Sequence, residues 1–181
     1  MPPLDDPRND QELIAAINAG DAAAFDALYY RYRDRVLRLA VRFTGHHDDA
    51  LDVLQETFAY LFRKFPGFVL TSRMTTFLYP AVRNLSLAAR RKRRGFEAIE
   101  GEMPGLAVAD PELARSELAA AMANLSAAHC EVVLLRFVDD LTIDEIADAL
   151  DVPAGTIKSR LHHAIAAMRE DPRIRRFFQQ G

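Results

Sequence analysis

The side chains best suited to chemistry in this 181-residue sequence are hydrogen-bond donors gathered near its C-terminal end. At helical spacing they share one outward face: Thr156, Lys158, Ser159, Arg160, His162 and His163. Such donors suit phosphate oxygens and the edges of bases in a DNA groove. The pattern therefore predicts that this face binds DNA.

A short helix, a tight turn and a longer helix are predicted to position these donors. Thr142 and Glu145 have the spacing of a capping box, Asp151 tolerates a left-handed turn, and Pro153 suits the start of the second helix. A helix-turn-helix of this kind places its second helix in the major groove. Two short amphipathic helices whose polar face only meets solvent have the same spacing, so spacing alone leaves that alternative open.

A second nucleic-acid signal lies in the first half of the chain. A helix predicted from about residue 75 presents Arg83 and Asn84, and Pro80 either kinks it or lies in its first turn. The helix ends in five consecutive basic residues: Arg90, Arg91, Lys92, Arg93 and Arg94. Basic side chains can bind phosphates, but a run of charged residues can also be a helix face that only meets solvent. Because the formal net charge is −3, binding to DNA must depend on such local clusters.

Two short sequences, His46-His47-Asp48-Asp49 and His129-Cys130, contain the residue types of metal and nucleophile sites. Adjacent residues on a helix point about 100 degrees apart, so neither pair converges on one ion. Without help from distant residues, these two sequences therefore predict neither a metal or cofactor site nor a catalytic residue. His46 and His47 are interpreted as turn residues before a helix, and Cys130 as a small, partly buried apolar residue.

Composition bounds the class of protein. With 50% apolar and 27% charged residues, the chain is ordinary globular material of at most about two domains. The single cysteine excludes an internal disulfide and favours a reducing compartment. The start MPPLDDPRND is unlike a secretory signal, and no apolar run reaches the roughly 18 to 20 residues of a membrane span. These features predict a cytoplasmic protein without membrane insertion.

Apolar residues recur at steps of three and four, which predicts an all-α protein. Helices are predicted over residues 10–19, 21–44, 48–65 and 75–94, and again over 111–124, 127–138, 142–150 and from 153 onward. The segment GFEAIEGEMPGLAVAD, residues 95–110, is typical of a flexible linker. We therefore expect two small helical domains, residues 10–94 and 111–171, the second a helix-turn-helix domain, followed by a tail over 172–181.

Three ordered motifs carry a resemblance to a known family. They are DDALDVLQETFAYLFRKF, which contains D-x-x-Q-E-T-F, then TTFLYPAVRNLSLAARRKRR, and then LSAAHCEVVLLRFVDDLTIDEIADALDVPAGTIKSRLHHAIAAMRE. Over nearly its whole length the chain resembles the extracytoplasmic-function (ECF) sigma factors of bacterial RNA polymerase. The resemblance implies a dissociable initiation subunit that binds core RNA polymerase, recognises promoter DNA and helps to melt it. It also implies an anti-sigma factor as a partner.

The resemblance assigns roles to residues. Core-polymerase binding falls to Asp48, Asp49, Asp52, Gln55 and Glu56. Residues 48, 52 and 56 lie at steps of four, so they share one helix face. An acidic face suits a basic protein surface and repels DNA. The face from Thr156 to His163 would read the upstream promoter element, with Lys158 and Arg160 on phosphates.

For promoter melting, the resemblance points to the loop over residues 66–73 and to the helix that follows it. Phe68 is expected either to contact an unstacked base or to be an exposed turn residue, whereas Phe77 is expected in the core. Arg83, Asn84 and the basic run would bind phosphates. The sequence departs from the family pattern at Phe77, Pro80, Asp151 and His163. A stand-alone helix-turn-helix regulator is the alternative function, and only the C-terminal part of the chain favours it.

Overall fold

The computed structural model describes residues 6–97, 122 and 124–170, with the backbone alone for residues 94–97. This part of the chain contains seven helices and no strand: α1 Asp10–Asn18, α2 Ala22–Thr44, α3 His47–Phe62, α4 Met74–Glu97, α5 Ala127–Phe137, α6 Ile143–Leu150 and α7 Ala154–Glu170. The chain divides into two compact units, Met1–Gly101 and Glu102–Gly181. The prediction of an all-α protein with two helical domains is confirmed. Most of the predicted linker, nearly all of the predicted helix over 111–124 and the tail lie outside the described residues.

In the first unit, α2, α3 and α4 pack against one another and α1 packs on α2. The predicted apolar stripes supply the core, with Leu28 of α2, Leu61 of α3 and Val82 of α4 fully buried. Packing of these stripes removes apolar surface from water, which stabilises the unit.

The ends of α1 and α2 follow local signals in the sequence. Asn9 and Glu12 form a capping box at the start of α1. Gly20, with φ +96°, ends α1 as predicted, and Asp21 caps α2 by accepting hydrogen bonds from the amides of Ala23 and Ala24. The junction between the two helices is therefore a single tight turn.

The end predicted for α3 is wrong by three residues. The helix stops at Phe62. The Arg63 amide still donates to the Ala59 carbonyl four residues back, but Lys64 then donates to the Leu61 carbonyl and Phe65 to the Phe62 carbonyl, each only three residues back. Pro66 explains the stop, because the residue before a proline is disfavoured in helical conformation.

Helix α4 begins at Met74 and continues past Pro80, which is its seventh residue. The first-turn alternative for Pro80 is therefore wrong. A proline at this position supplies no amide proton for the carbonyl of Thr76.

In the second unit, α5 and α6 both pack on α7. The predicted capping box is present, since Thr142 accepts from the Glu145 amide and Glu145 accepts from the Thr142 amide. Asp151 adopts the predicted left-handed conformation, with φ 53° and ψ 50°. Ile146, Ile157 and Leu161 hold α6 and α7 together. Among the helices that the structure describes, none has the length and apolar character that crossing a membrane requires.

Candidate functional site

The exposed side of α3 is acidic. Asp48, Asp52, Gln55 and Glu56 are exposed, while Val53 on the opposite side is buried. Asp48 and Asp49 occupy the first turn, where negative charge is favoured by the helix dipole. The structure thus presents four of the five predicted polymerase-binding residues to solvent.

The fifth, Asp49, is only about one quarter exposed and is paired. Its carboxylate accepts hydrogen bonds from Arg93 of α4, at 2.9 Å from Nε and 2.6 Å from Nη2. One predicted polymerase contact and one predicted DNA contact are therefore bound to each other. The sequence did not indicate this pairing across 44 residues.

A cleft of about 430 Å³ lies between α3 and α4 next to this ion pair. Its α3 wall carries Asp52 and Glu56, its α4 wall carries Lys92, and apolar residues form the rest: Val53, Leu85, Ala88 and Ala89. Acidic and basic side chains therefore face one space, so the charges of α3 and α4 act on each other through the cleft.

The basic end of α4 has mixed exposure. Asn84, Arg91 and Lys92 are exposed, whereas Arg83 and Arg90 are half-buried. The side chain of Arg94 lies outside the described residues. The exposed members are those that could meet phosphate groups without rearrangement.

The structure corrects the expectation for Phe68. Its side chain is only 9% exposed. Its ring lies against Phe65 and Phe77, at centroid distances of 5.4 and 4.8 Å. Phe68 is therefore not an exposed turn residue, and little of its ring is accessible to a base. Phe77 packs on Phe68 and on Tyr60 but is only partly buried, so it lies at the margin of the core in which it was expected.

The backbone beside Phe68 is bound to α1 by a residue that the sequence did not single out. The carboxamide of Asn18 accepts hydrogen bonds from the amides of Gly67 and Phe68 at 2.6 and 3.1 Å, and donates to the Phe68 carbonyl at 2.9 Å. No local pattern signals a contact between residues about 50 positions apart.

Arg8 forms two ion pairs beside the turn between α1 and α2. The Arg8 guanidinium binds Asp6 and Asp21, at 2.7 and 3.0 Å. Hydrogen bonding from Arg8 lowers the pKa of Asp6 to about 2 and also lowers the pKa of Asp21. Because Asp21 caps α2, these contacts join the chain before α1 to the start of α2.

The predicted DNA-binding face of the second unit is formed by α7. Lys158, Ser159, His162 and His163 are exposed, and Thr156 and Arg160 are partly exposed. The intervening positions Ile157, Leu161 and Ala164 are buried against α5 and α6. The helix therefore separates an apolar inward side from a polar outward side at the positions the sequence indicated.

His46, His47 and Cys130 lie at or inside helices, and none of them is part of a grouped site among the described residues. His46 is the N-cap residue of α3, and His47 is its first residue. Cys130 is buried in α5. Within residues 6–93 and the described part of the second unit, no three His, Cys, Asp or Glu side chains are grouped as a metal site would require.

Comparison with known proteins finds two family matches in chain order. Residues 28–96 match the family model "Sigma-70 region 2", and residues 121–170 match "Sigma-70, region 4". The chain is 31% identical over 176 residues to the RNA polymerase sigma-H factor of Pseudomonas aeruginosa, covering 88% of this chain and 91% of that protein. It is 27% identical over 178 residues to the ECF RNA polymerase sigma factor SigW of Bacillus subtilis, covering 88% of this chain and 95% of the relative.

Among solved structures, the fold is similar to the sigma factor RpoE of Bartonella quintana, crystallised with the anti-sigma factor NepR. The TM-score is 0.63 at 22% identity, and the match covers 81% of this chain and 94% of the other. At this identity the likeness concerns the fold.

Proposed function

Because the chain belongs to the sigma-70 family, as an ECF sigma factor, we propose that its two helical units divide the work of transcription initiation. The protein binds core RNA polymerase and directs promoter recognition and DNA melting. We assign core binding and melting to residues 10–94 and recognition of the upstream promoter element to residues 111–171, with residues 95–110 as the linker. One observation carries this division: the chain presents an acidic exposed face on α3 and a separate face of exposed donors on α7.

The acidic face of α3 is the proposed polymerase contact. Asp48, Asp52 and Glu56 are exposed on one side of the helix, so their charges are available to a basic partner. The same charges repel DNA phosphates, which directs this face away from the promoter. Asp49 contributes less, because Arg93 already offsets its charge.

The outward face of α7 is the proposed reader of the upstream promoter element. Lys158 and Arg160 are placed to hold phosphates, which fix the position of the helix on DNA. Ser159, His162 and His163 are placed to meet base edges, which carry sequence information. The exposure of this face supports the assignment, since direct readout requires side chains that reach into the major groove.

Promoter melting is assigned to the loop before α4 and to the basic end of that helix. Arg91 and Lys92 are exposed and suit the phosphates beside the melted segment. The exposed part of the loop, from Val69 onward, replaces Phe68 as the proposed site of contact with unpaired bases.

This function places the protein in the bacterial cytoplasm, where the polymerase and the chromosome are. It requires recognition and binding from this chain and no catalytic residue. The alternative of a stand-alone regulator is not favoured, because residues 28–96 match sigma-70 region 2 and not only the helix-turn-helix part of the chain matches the family.

An anti-sigma factor is the proposed regulatory partner. It would act by covering the acidic face of α3, the donor face of α7, or both. Copurification from the native cells is the direct check, and constitutive promoter activity without any bound inhibitor would contradict this partner.

Run-off transcription tests the function. The full chain is added to purified core enzyme and a genomic promoter library, and transcripts that depend on the chain are expected. A matched variant, Asp52→Lys with Glu56→Lys, should lose core binding in a pull-down while its helix content is unchanged. Two results would overturn the proposal: failure of the wild-type chain to bind core, or equally tight promoter binding with and without core.

A further inference from the structure

We infer that Asn18 is a positioning residue for promoter melting: its side chain holds the loop before α4 in the conformation that meets unpaired bases. The inference rests on the proposed function of that loop. Asn18 lies outside residues 28–96, the stretch that matches sigma-70 region 2.

The carboxamide of Asn18 uses both of its functional ends on two consecutive residues. Its oxygen accepts hydrogen bonds from the amides of Gly67 and Phe68 at 2.6 and 3.1 Å, and its nitrogen donates a hydrogen bond to the Phe68 carbonyl at 2.9 Å. Three hydrogen bonds from one side chain fix both the position and the orientation of a peptide segment. The ring of Phe68, packed against Phe65 and Phe77, also holds this segment.

Asn18 is itself rigidly placed. It is the last residue of α1, and the turn after it is closed by two hydrogen bonds: Gly20 donates to the Ile17 carbonyl and Asp21 to the Ala16 carbonyl. This is the Schellman arrangement, with Gly20 in the left-handed conformation. Asp21 then caps α2 and binds Arg8. The three hydrogen bonds of Asn18, which we call the clamp, therefore start from a residue fixed between two helices and not from another loop.

The exposed residues of the loop follow directly after the clamped segment. Val69 is 73% exposed, and Thr71 and Arg73 are exposed as well. Gly67, with φ +96°, provides the sharp turn that few other residues adopt. Because Asn18 is half-buried and binds backbone only, it acts on DNA through the placement of these residues. A loop held in its binding conformation loses less entropy on binding than a loop that must be ordered.

Three variants separate positioning from general stability. Asn18→Leu keeps the size of the side chain and removes all three hydrogen bonds. Asn18→Asp keeps an acceptor for both amides. Asn9→Ala removes the capping box at the other end of α1 and lowers stability without touching the loop.

Hydrogen exchange of the full chain, without polymerase, tests the clamp. We expect protected amides at Gly67 and Phe68 in the wild type, in Asn18→Asp and in Asn9→Ala. In Asn18→Leu both amides should exchange at least about tenfold faster, because they lose their acceptor. Equal exchange in the wild type and Asn18→Leu would overturn the inference.

The consequence is tested by promoter opening with core enzyme, followed by the fluorescence of a base analogue placed in the melted segment. Asn18→Leu should open the promoter about tenfold more slowly, the reduction expected when the clamped conformation falls to about one tenth of the population. Its affinity for core should be unchanged, and Asn9→Ala should open the promoter at the wild-type rate.

The outcomes distinguish this inference from the proposed function. If the wild-type chain binds core but opens no promoter, the proposed function fails. If the wild type opens promoters and Asn18→Leu does so at the same rate, Asn18 is not a positioning residue. The same conclusion follows if Asn9→Ala slows opening as much as Asn18→Leu does.

Discussion

Two substitutions of Phe68 distinguish a buried anchor from a ring that stacks on DNA. In the structure the side chain is 9% exposed and contacts the rings of Phe65 and Phe77. Phe68→Leu keeps most of the buried apolar area but removes the aromatic ring. Phe68→Ala removes both the apolar area and the ring. A buried anchor and a stacking ring therefore predict different effects of the two substitutions on stability and on promoter opening.

The expected magnitudes follow from burial. Replacing a buried phenylalanine by alanine costs about 3–5 kcal/mol of unfolding free energy. Because Phe68 lies in a loop at the edge of the first unit, we expect about 3 kcal/mol for Phe68→Ala. For Phe68→Leu we expect about 1 kcal/mol, since two aromatic pairs of about 0.5–1.5 kcal/mol each are partly replaced by aliphatic packing. If the ring instead stacked on a base, Phe68→Leu would weaken binding to melted DNA by about 5- to 150-fold.

Denaturant unfolding and promoter opening with core enzyme measure the two effects separately. The anchor role predicts a clear loss of stability for Phe68→Ala and nearly wild-type opening for Phe68→Leu. Phe62→Leu serves as the control for unfolding, because that ring is 60% exposed and its replacement should cost less. Refutation would be a Phe68→Leu variant of wild-type stability whose promoter opening falls tenfold or more.

Four further predictions concern the other surfaces. Asp52→Asn should weaken core binding more than Asp49→Asn in pull-down titrations, because Asp52 is exposed whereas Asp49 is paired with an arginine; equal losses would contradict this. Lys158→Ala should reduce the slope of log affinity against log salt by about 0.9 for promoter binding by the holoenzyme, and an unchanged slope would exclude a phosphate contact. Asp151→Gly should raise the unfolding free energy of the second unit by about 0.5 kcal/mol in denaturant titrations, because the steric cost that glycine avoids in the left-handed conformation exceeds its larger loss of backbone entropy; a decrease would contradict this. The folded-state pKa of Asp6 is about 2, below its ordinary 3.8, so its contribution to stability is present above pH 3.8 and is lost as the pH falls towards 2. Asp6→Asn should flatten that acid loss in a pH series of thermal unfolding, and an unaltered acid profile would disprove the assignment.

The features predicted correctly from sequence are local. Thr142 and Glu145 are three residues apart, and the capping box they form depends on little else. Asp151 and Pro153 end one helix and begin the next within three residues. The α6–turn–α7 segment and its outward face could therefore be predicted without knowledge of the rest of the chain.

The features that could not be predicted depend on distant contacts. Asn18 meets the loop across about 50 residues, and Arg93 meets Asp49 across 44. Residue type indicates that a charge or a carboxamide is available, but not whether the fold uses it. The burial of Phe68 was missed for a different reason: Pro66 and Gly67 predict a turn, whereas packing of the ring against Phe65 and against Phe77 of α4 is set by the tertiary fold.

The Asp49–Arg93 ion pair need not prevent either residue from binding polymerase or DNA. Both side chains are about one quarter exposed, so water still screens the pair. An ion pair of this kind contributes on the order of 1 kcal/mol or less. A polymerase surface or a DNA phosphate that competes for either partner therefore meets a small barrier. The pair fixes the end of α4 against α3. If α3 binds core polymerase as proposed, the exposed charges of Asp48, Asp52 and Glu56 are expected to contribute more to that binding than Asp49 does.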